Sequence, residues 1–343
     1  YIAMLERAAS NIECFHRRQL HEGFMFSPKE GVILGQRVIP LQRVGIYVPG
    51  GTASYPSSVL MNALPARVAG CGEVMIATPP EISPKIIAAA KVSGVHRIFK
   101  MGGAQAIGAF AFGTESVPRV DKITGPGNAY VAEAKRQVFG RTGIDMVAGP
   151  SEIVIVADRN NFAGHLAADM LAQAEHDVNA RAVLITNSRR FAQNINAEIE
   201  VQAGKLERYD IARASIDNNG MIIVVSNWGQ AVDIVNEIAP EHLELCVEEP
   251  FEWLTKIRNA GSIFLGRHSP EALGDYYAGA NHTLPTMGTA RFSSPLSVDD
   301  FVKKMQYMYY DGQALREASR DIEEFAMSEG LTGHARSITI RRD

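Results

Sequence analysis

The segment "EIVIVADRNNFAGHLAADMLAQAEHDVNARAVLIT", residues 152–186, decides the fold. It opens on a short apolar run, "EIVIVA", crosses a polar turn, continues with helical period and closes on a second run, "AVLIT". Strand, helix and strand in that order make a crossover unit, and such units build parallel sheets covered by helices. The helix carries Gln173 and His176 near its end, flanking the stripe Phe162, Leu166 and Met170. Residues three apart lie about 60° apart on one helix face. An amide oxygen and an imidazole so placed can share a cation. QxxH alone is weak, since two polar residues at a domain edge would look the same.

Outward from this unit the alternation repeats. Before it, "VGIYV" (44–48), "EVMIAT" (73–78), "RIFKM" (97–101) and "DKIT" (121–124) alternate with Ala-rich helical segments such as "SSVLMNALPARVAG". After "AGPSE" comes a second series: "EIVIVA", "AVLIT", "MIIVVS", "LELCV" and "SIFLG". The expected fold is α/β, with two Rossmann-like parallel-sheet domains of similar architecture. "DDFVKKMQYMYY" and "GQALREASRDIEEFAMSEG" have helical period and add a small helical C-terminal tail.

At 343 residues the chain exceeds what one hydrophobic core usually holds. Hydrophobic residues make up 46% and charged residues 21%, with net charge −4 and no Lys/Arg run. That argues against nucleic acid or an anionic membrane as partner and for a small molecule. Cys14, Cys71 and Cys246 form no CxxC pair, which points to a reducing compartment and to buried, non-catalytic thiols. No apolar run reaches the roughly 18 residues of a membrane span, and a cytoplasmic location is expected. The opening "YIAMLERAASNIECFHRRQ" reads as an amphipathic helix and not as a signal peptide. It starts in mid-pattern, so a further N-terminal segment is expected before it.

Three other stretches can carry chemistry. In "IAPEHLELCV", Pro240 ends a helix and Leu243, Leu245 and Val247 alternate as a strand, leaving Glu241 and His242 at its entrance. An adjacent carboxyl and imidazole offer two proton acceptors near neutral pH. "SPEALGDYYAGANHTLPTMGTARFSSPLSVDD", residues 269–300, is long and irregular and holds Glu271, Asp275 and His282. "SEGLTGHARSI" places Glu329 and His334 around Gly330 near the chain end. Histidine, aspartate and glutamine donors make an N/O set suited to zinc or a similar divalent ion, while the missing H-E-x-x-H disfavours a zincin-type protease. "YVPGG" and "TGPGNAY" follow strands at their C-terminal ends, where α/β sheets bind ligands. Neither matches G-x-G-x-x-G or a P-loop, so the residues themselves suggest a cofactor crevice without naming the cofactor.

The chain resembles the histidinol dehydrogenases. The likeness is carried by "GIYVPGGTASYPSSVLMNALPARVAGC", "GGAQAIGAFAFGT", "DKITGPGNAYVAEAKRQVFG", "DMVAGPSEI", "LAQAEHD", "PEHLEL", "GDYYAGANHTLPT" and "EGLTGHA". The resemblance implies a zinc- and NAD-dependent oxidation of L-histidinol to L-histidine through an aldehyde, at the end of histidine biosynthesis. It implies Gln173, His176, Asp275 and His334 as zinc ligands, the last from the partner in a tail-exchanged homodimer. Glu241 and His242 match the catalytic pair. Ser151, His282 and Glu329 match substrate contacts, beside Gln173, His176, His242, Asp275 and His334; Tyr47, Gln105 and Asn128 match the NAD site. The implied domains are residues 1–46 with 152–296 (metal and catalysis), 47–151 (NAD side) and 297–343 (helical tail and exchanged segment). Rival readings are a sister dehydrogenase for a sulfonated diol such as sulfopropanediol, a zinc hydrolase needing no nucleotide, and a catalytically silent truncated form.

Overall fold

The computed structural model describes residues 1–50 and 55–342. Helix Ile2–Arg17 turns Leu5, Ala8, Ala9, Ile12 and His16 inward, as its amphipathic pattern requires. Strands β1 (Phe24–Phe26) and β2 (Val32–Pro40) then pair antiparallel.

Two parallel sheets follow. The first contains β3 (Arg43–Tyr47), β4 (Glu73–Thr78), β5 (Arg97–Lys100), β6 (Lys122–Thr124) and β7 (Gly143–Ile144), in the order β5-β4-β3-β6-β7. The second contains β8 (Glu152–Ala157), β9 (Arg181–Thr186), β10 (Met221–Val224), β11 (His242–Cys246) and β12 (Ser262–Leu265), in the order β10-β9-β8-β11-β12. All their pairings are parallel. Each sheet thus has its first strand at the centre, with the chain winding outward to one side and then the other. The expected pair of Rossmann-like sheets is present. Residues 43–46 belong to the first sheet, which corrects their expected grouping with 152–296.

β8 shows why the middle of a central strand is apolar. All six residues are buried. Ile153 and Ile155 pack with Leu166, Met170 and Leu171 of helix Ala163–Ala174. Val154 and Val156 face the other way, against Val235, Leu243, Leu245 and Trp253. Alternate side chains serve opposite faces, so residues 153–157, covered on both sides, are all apolar and only the strand's first residue, Glu152, is charged. Phe162 does not join the expected stripe: it precedes the helix and is 63% exposed.

The chain divides into two compact units, Tyr1–Gln19 with Leu41–Phe301, and Leu20–Pro40 with Val302–Asp343. The second contains β13 (Val302–Tyr310), which pairs antiparallel with β2 from Val302 opposite Pro40 to Tyr310 opposite Val32. This corrects the helical reading of "DDFVKKMQYMYY". Nine residues of ladder on β2, together with the β-preference of Val302 and the tyrosines, outweigh an apolar spacing that suited a helix. The rest of the tail is helical as expected, with Gly312–Ser328 capped by the Asp311 carboxylate and followed by Thr332–Thr339. Among the described residues no helix is long and apolar enough to cross a membrane.

Candidate active site

Helix Trp228–Ile238 stops at Ala239, which adopts a left-handed conformation (φ 51°, ψ 60°). A non-glycine residue there costs roughly 1–2 kcal/mol, and Pro240 prevents the helix from continuing. The chain therefore turns sharply, and His242 becomes the first residue of β11. Pro240 and Glu241 accept backbone bonds from Gly261 (2.8 Å) and Ser262 (2.9 Å). Gly261 has no room for a side chain, since a Cβ would lie 2.6 Å from the Glu241 carbonyl oxygen. Glu241 and His242 are buried, not exposed on a surface turn.

Both are held by the backbone of Glu152 on the neighbouring strand. Glu152 N–H donates to Glu241 Oε2 at 3.0 Å, and the Glu152 carbonyl lies 3.1 Å from His242 Nδ1. A carbonyl can only accept, so the ring carries its hydrogen on Nδ1 and Nε2 keeps a bare lone pair. That Nε2 is buried and has no hydrogen-bond partner; Asp275 Oδ1 lies 3.9 Å away. Burial first, with His176 and His282 adding to it, lowers the His242 pKa to about 3, so the ring stays in its base form. Burial raises Glu241 well above the usual carboxylate range, although the Glu152 amide and the Ser151 side chain hydrogen-bond to it.

The metal-donor set assembles from two further elements. Gln173 is fully buried in the last turn of its helix, whereas His176 lies just beyond it, its amide bonded to the Gln173 carbonyl at 3.2 Å. With its nitrogen turned toward acceptors, the Gln173 amide donates to the Glu152 carbonyl (3.2 Å) and to Glu271 Oε2 (3.3 Å). Glu271 and Asp275 sit one turn apart on helix Glu271–Tyr276. Donor atoms of His176, Glu271 and Asp275 all lie within 4.8 Å of one another, close enough to share one ion. The neighbouring carboxyls Glu241, Glu271 and Asp275 have no lysine or arginine ion pair among the described residues. Burial pushes Asp275 up to about 6 and Glu271 well above its usual range. A crowded, buried, acidic group with a bare imidazole nitrogen beside it suits a divalent cation.

His282 Nδ1 lies 3.9 Å from Asp275 Oδ1, and burial lowers its pKa to about 4. His242, Asp275 and His282 line a cavity of about 270 Å³ whose other walls include Phe264, Leu273 and Leu284. The structure thus brings together Ser151, Gln173, His176, Glu241, His242, Asp275 and His282. Glu329 and His334 belong to the second compact unit. The sequence reading did not assign roles to Glu152, Glu244 or Glu271. The four-residue spacing of Glu271 and Asp275 was the available signal for the last; a backbone clamp at Glu152 leaves none, because every residue but proline offers both groups.

The family model described as histidinol dehydrogenase matches residues 1–342. The chain belongs to the histidinol dehydrogenase family. It is 55% identical over 343 residues to the histidinol dehydrogenase of Geobacter sulfurreducens, covering 99% of this chain and 80% of that one. Identity to the Streptococcus mutans enzyme is 52% over 344 residues, covering 100% of this chain and 81% of the relative. The crystal structure of histidinol dehydrogenase from Elizabethkingia anophelis superposes with a TM-score of 0.94 at 39% identity, over 99% of this chain and 79% of that one. As a family member the protein is an NAD-dependent oxidoreductase that uses a metal.

The candidate NAD residues lie near the carboxyl ends of β3 and β6 in the first sheet. Tyr47 ends β3, and its hydroxyl accepts from Gly103 N at 3.0 Å, at the start of the helix that bears Gln105. Gly125 (φ 106°) passes so close to Tyr47 that a Cβ would lie 2.2 Å from the Tyr47 carbonyl oxygen, so only glycine fits. Asp145 receives the Gly125 amide (2.8 Å) and forms a buried ion pair with Lys135, whose Nζ also donates to the Gly125 carbonyl (3.0 Å). Asn128 caps helix Ala129–Val138, accepting from Tyr130 N and Val131 N at 3.1 Å each. Asn128 and Gln105 are exposed. The "YVPGG" turn ends at residue 51, which with residues 52–54 lies outside the described residues. Of the thiols expected to be buried, Cys246 is, Cys71 is half-buried with burial raising its pKa to about 12, and Cys14 is exposed, which corrects the expectation for that residue.

Proposed function

We propose that the protein oxidises L-histidinol through L-histidinaldehyde to L-histidine with two molecules of NAD, closing histidine biosynthesis. The observation that carries this reading is the buried Glu241–His242 pair, with a bare Nε2 beside the metal-donor carboxylates, in a chain matched by the family over residues 1–342. Gln173, His176 and Asp275 would hold zinc together with His334 of the partner subunit. When bound, zinc supplies fixed positive charge and open positions for the imidazole and amino nitrogens of the substrate, with no redox chemistry of its own. Tyr47, Gln105 and Asn128 would contact NAD, the hydride acceptor. Ser151, His282 and Glu329 would complete the substrate contacts.

His242 Nε2 removes the hydroxyl proton while the carbinol hydride leaves. An alcohol is a far weaker acid than imidazolium, so proton and hydride removal are closely coupled. Positioned base catalysis of this kind contributes about 10²–10⁴-fold. Glu241 then takes a proton from the water that adds to the aldehyde, and its desolvation makes it the stronger base. His242 acts again as the hydrate loses the second hydride. Leu284 and Phe264 help enclose the cavity, which retains the reactive aldehyde between the two steps.

The second unit supports a homodimer with an exchanged tail. Its elements expose Phe24, Met25, Phe26, Met308 and Phe325, and Met308 is 72% exposed. Apolar surface of that extent fits burial against a second copy. In this reading the region 152–296 is the metal and catalytic side and residues 47–151 the NAD side. A cytoplasmic location suits the reaction. Incubating metal-loaded protein with NAD and L-histidinol tests the function, with two NADH expected per substrate. No NADH from histidinol, with turnover of sulfopropanediol instead, would transfer the site to the sister reaction.

A further inference from the structure

We propose that the buried ion pair Lys135–Asp145 is a positioning device for the cofactor, holding Gly125 and the turn that ends at Asn128 in the shape that receives NAD. The inference rests on the proposed NAD side of the molecule and goes beyond it. Neither charged side chain is open enough to touch the cofactor, since they are 3% and 1% exposed. The geometry around one glycine carries the inference. Lys135 Nζ donates to the Gly125 carbonyl at 3.0 Å, and Asp145 Oδ2 accepts from the Gly125 amide at 2.8 Å. Both hydrogen-bonding groups of a single residue are thus tied to the two ends of one ion pair. The partners come from separate elements, Lys135 from helix Ala129–Val138 and Asp145 from the residue after β7. Asp145 is fixed in turn, its Oδ1 accepting from Met146 N at 2.7 Å and its amide donating to the Ile123 carbonyl at 3.2 Å.

Stability alone does not account for such a pair. Taking two charges out of water offsets most of their attraction, and well-packed apolar side chains often serve as well. What the pair supplies is direction. Gly125 (φ 106°) leaves β6 in a conformation that favours glycine, packed against the Tyr47 carbonyl. Two residues on, a Cβ at Gly127 would lie 2.4 Å from Val131 Cγ1, so the turn rests on the helix it precedes. Asn128 spends its side-chain oxygen on Tyr130 N and Val131 N, which leaves its amide nitrogen to meet a ligand. Gly125 therefore touches one proposed NAD residue, Tyr47, and leads the chain into another, Asn128. A shift of that glycine moves both, while His176 and Asp275 belong to elements of the other sheet.

The test compares the metal-loaded parent with Lys135→Met/Asp145→Asn, which removes both charges, keeps an acceptor for the Gly125 amide and strips the donor from its carbonyl. NAD affinity is read by titration calorimetry, KM and kcat by NADH production from L-histidinol, and stability by thermal unfolding of the same samples. The proposal expects the NAD Kd and KM to rise about tenfold or more, with metal content, histidinol KM and kcat at saturating NAD within about twofold of the parent. A pair with only a structural role would lower the unfolding midpoint and leave the NAD constants of the folded protein unchanged, and that result overturns the proposal. Equal losses in the NAD and histidinol constants, the mark of general damage, overturn it too. A parent that binds no NAD would sink the functional reading along with the proposal, whereas an NAD-binding parent beside an unaffected variant sinks the proposal alone. If the double variant does not fold, Asp145→Glu keeps the ion pair and presses the carboxylate one methylene further into the turn. A raised NAD KM with an unchanged histidinol KM is then expected, and an unchanged NAD KM contradicts positioning.

Discussion

The two parallel sheets share one strand order, and the proposed function uses them at opposite ends. In the first, the proposed NAD residues gather where β3 and β6 finish, among turns that need glycine at Gly125. In the second, the proposed catalytic residues Glu241 and His242 gather with Glu152 where β8 and β11 begin. The helix after β8 runs back along the sheet, so its last turn delivers Gln173 and His176 to that same starting edge. Strand order alone would have put both sites at carboxyl ends. The second sheet would depart from that rule because a strand start offers free backbone N–H and C=O groups, and Glu152 spends one of each on the proposed catalytic pair. A shared architecture fixes where a crevice can form; the side chains decide which end does chemistry.

The largest effect that could break this comparison is at His242. His242→Ala should lower NADH production by about 10²–10⁴-fold while leaving metal content unchanged, read by absorbance and metal analysis on the same sample. Near-normal turnover would move catalysis away from the starting edge of β11. Next comes the packing behind the pair. Gly261→Ala places a methyl 2.6 Å from the Glu241 carbonyl oxygen. It should cost about 1–3 kcal/mol of stability in denaturant titration and depress kcat more than the NAD KM.

In the first sheet, Asn128→Ala removes the cap of helix Ala129–Val138. A loss of about 1 kcal/mol is expected, with the NAD KM raised and zinc affinity untouched. A change in zinc affinity instead would show that the two ends are not independent.

The smallest effect concerns the joint between the sheets. His16 Nδ1 contacts Gln19 Oε1 at 2.7 Å, and Asn281 Nδ2 reaches both His16 Nε2 (3.3 Å) and the Met61 carbonyl (2.6 Å). Burial lowers the His16 pKa below its usual 6.5. The unfolded state therefore binds the proton more readily, so the contribution is fully present above pH 6.5 and is lost as pH falls through the folded value. Amide exchange of helix Ile2–Arg17 should quicken, relative to that of β8, on acidification below 6.5, and a pH-independent ratio would contradict it.

The fold was legible where the period was unambiguous. "IVIVA" (153–157) and "AVLI" (182–185) are apolar at every position because helices cover both faces of their sheet. "KKMQYMYY" was not, since most of β13 stays exposed and its pairing with β2 is a contact about 270 residues distant in sequence. At the site, "PEH" and "QAEH" showed residue types whose chemistry is visible in one dimension. Glu152 acts through its backbone and Glu271 through its place on a six-residue helix inside a long irregular stretch. The first leaves no trace in the sequence, and the second leaves only the four-residue spacing of Glu271 and Asp275.

Anomalous scattering at the zinc edge, from crystals of the metal-loaded protein, tests the central claim most directly. A single strong peak per chain is predicted at about 2.0–2.2 Å from a His176 ring nitrogen and an Asp275 oxygen, beside the starts of β8 and β11. A fully loaded crystal with its peak elsewhere, or with those side chains turned away from it, would contradict the account.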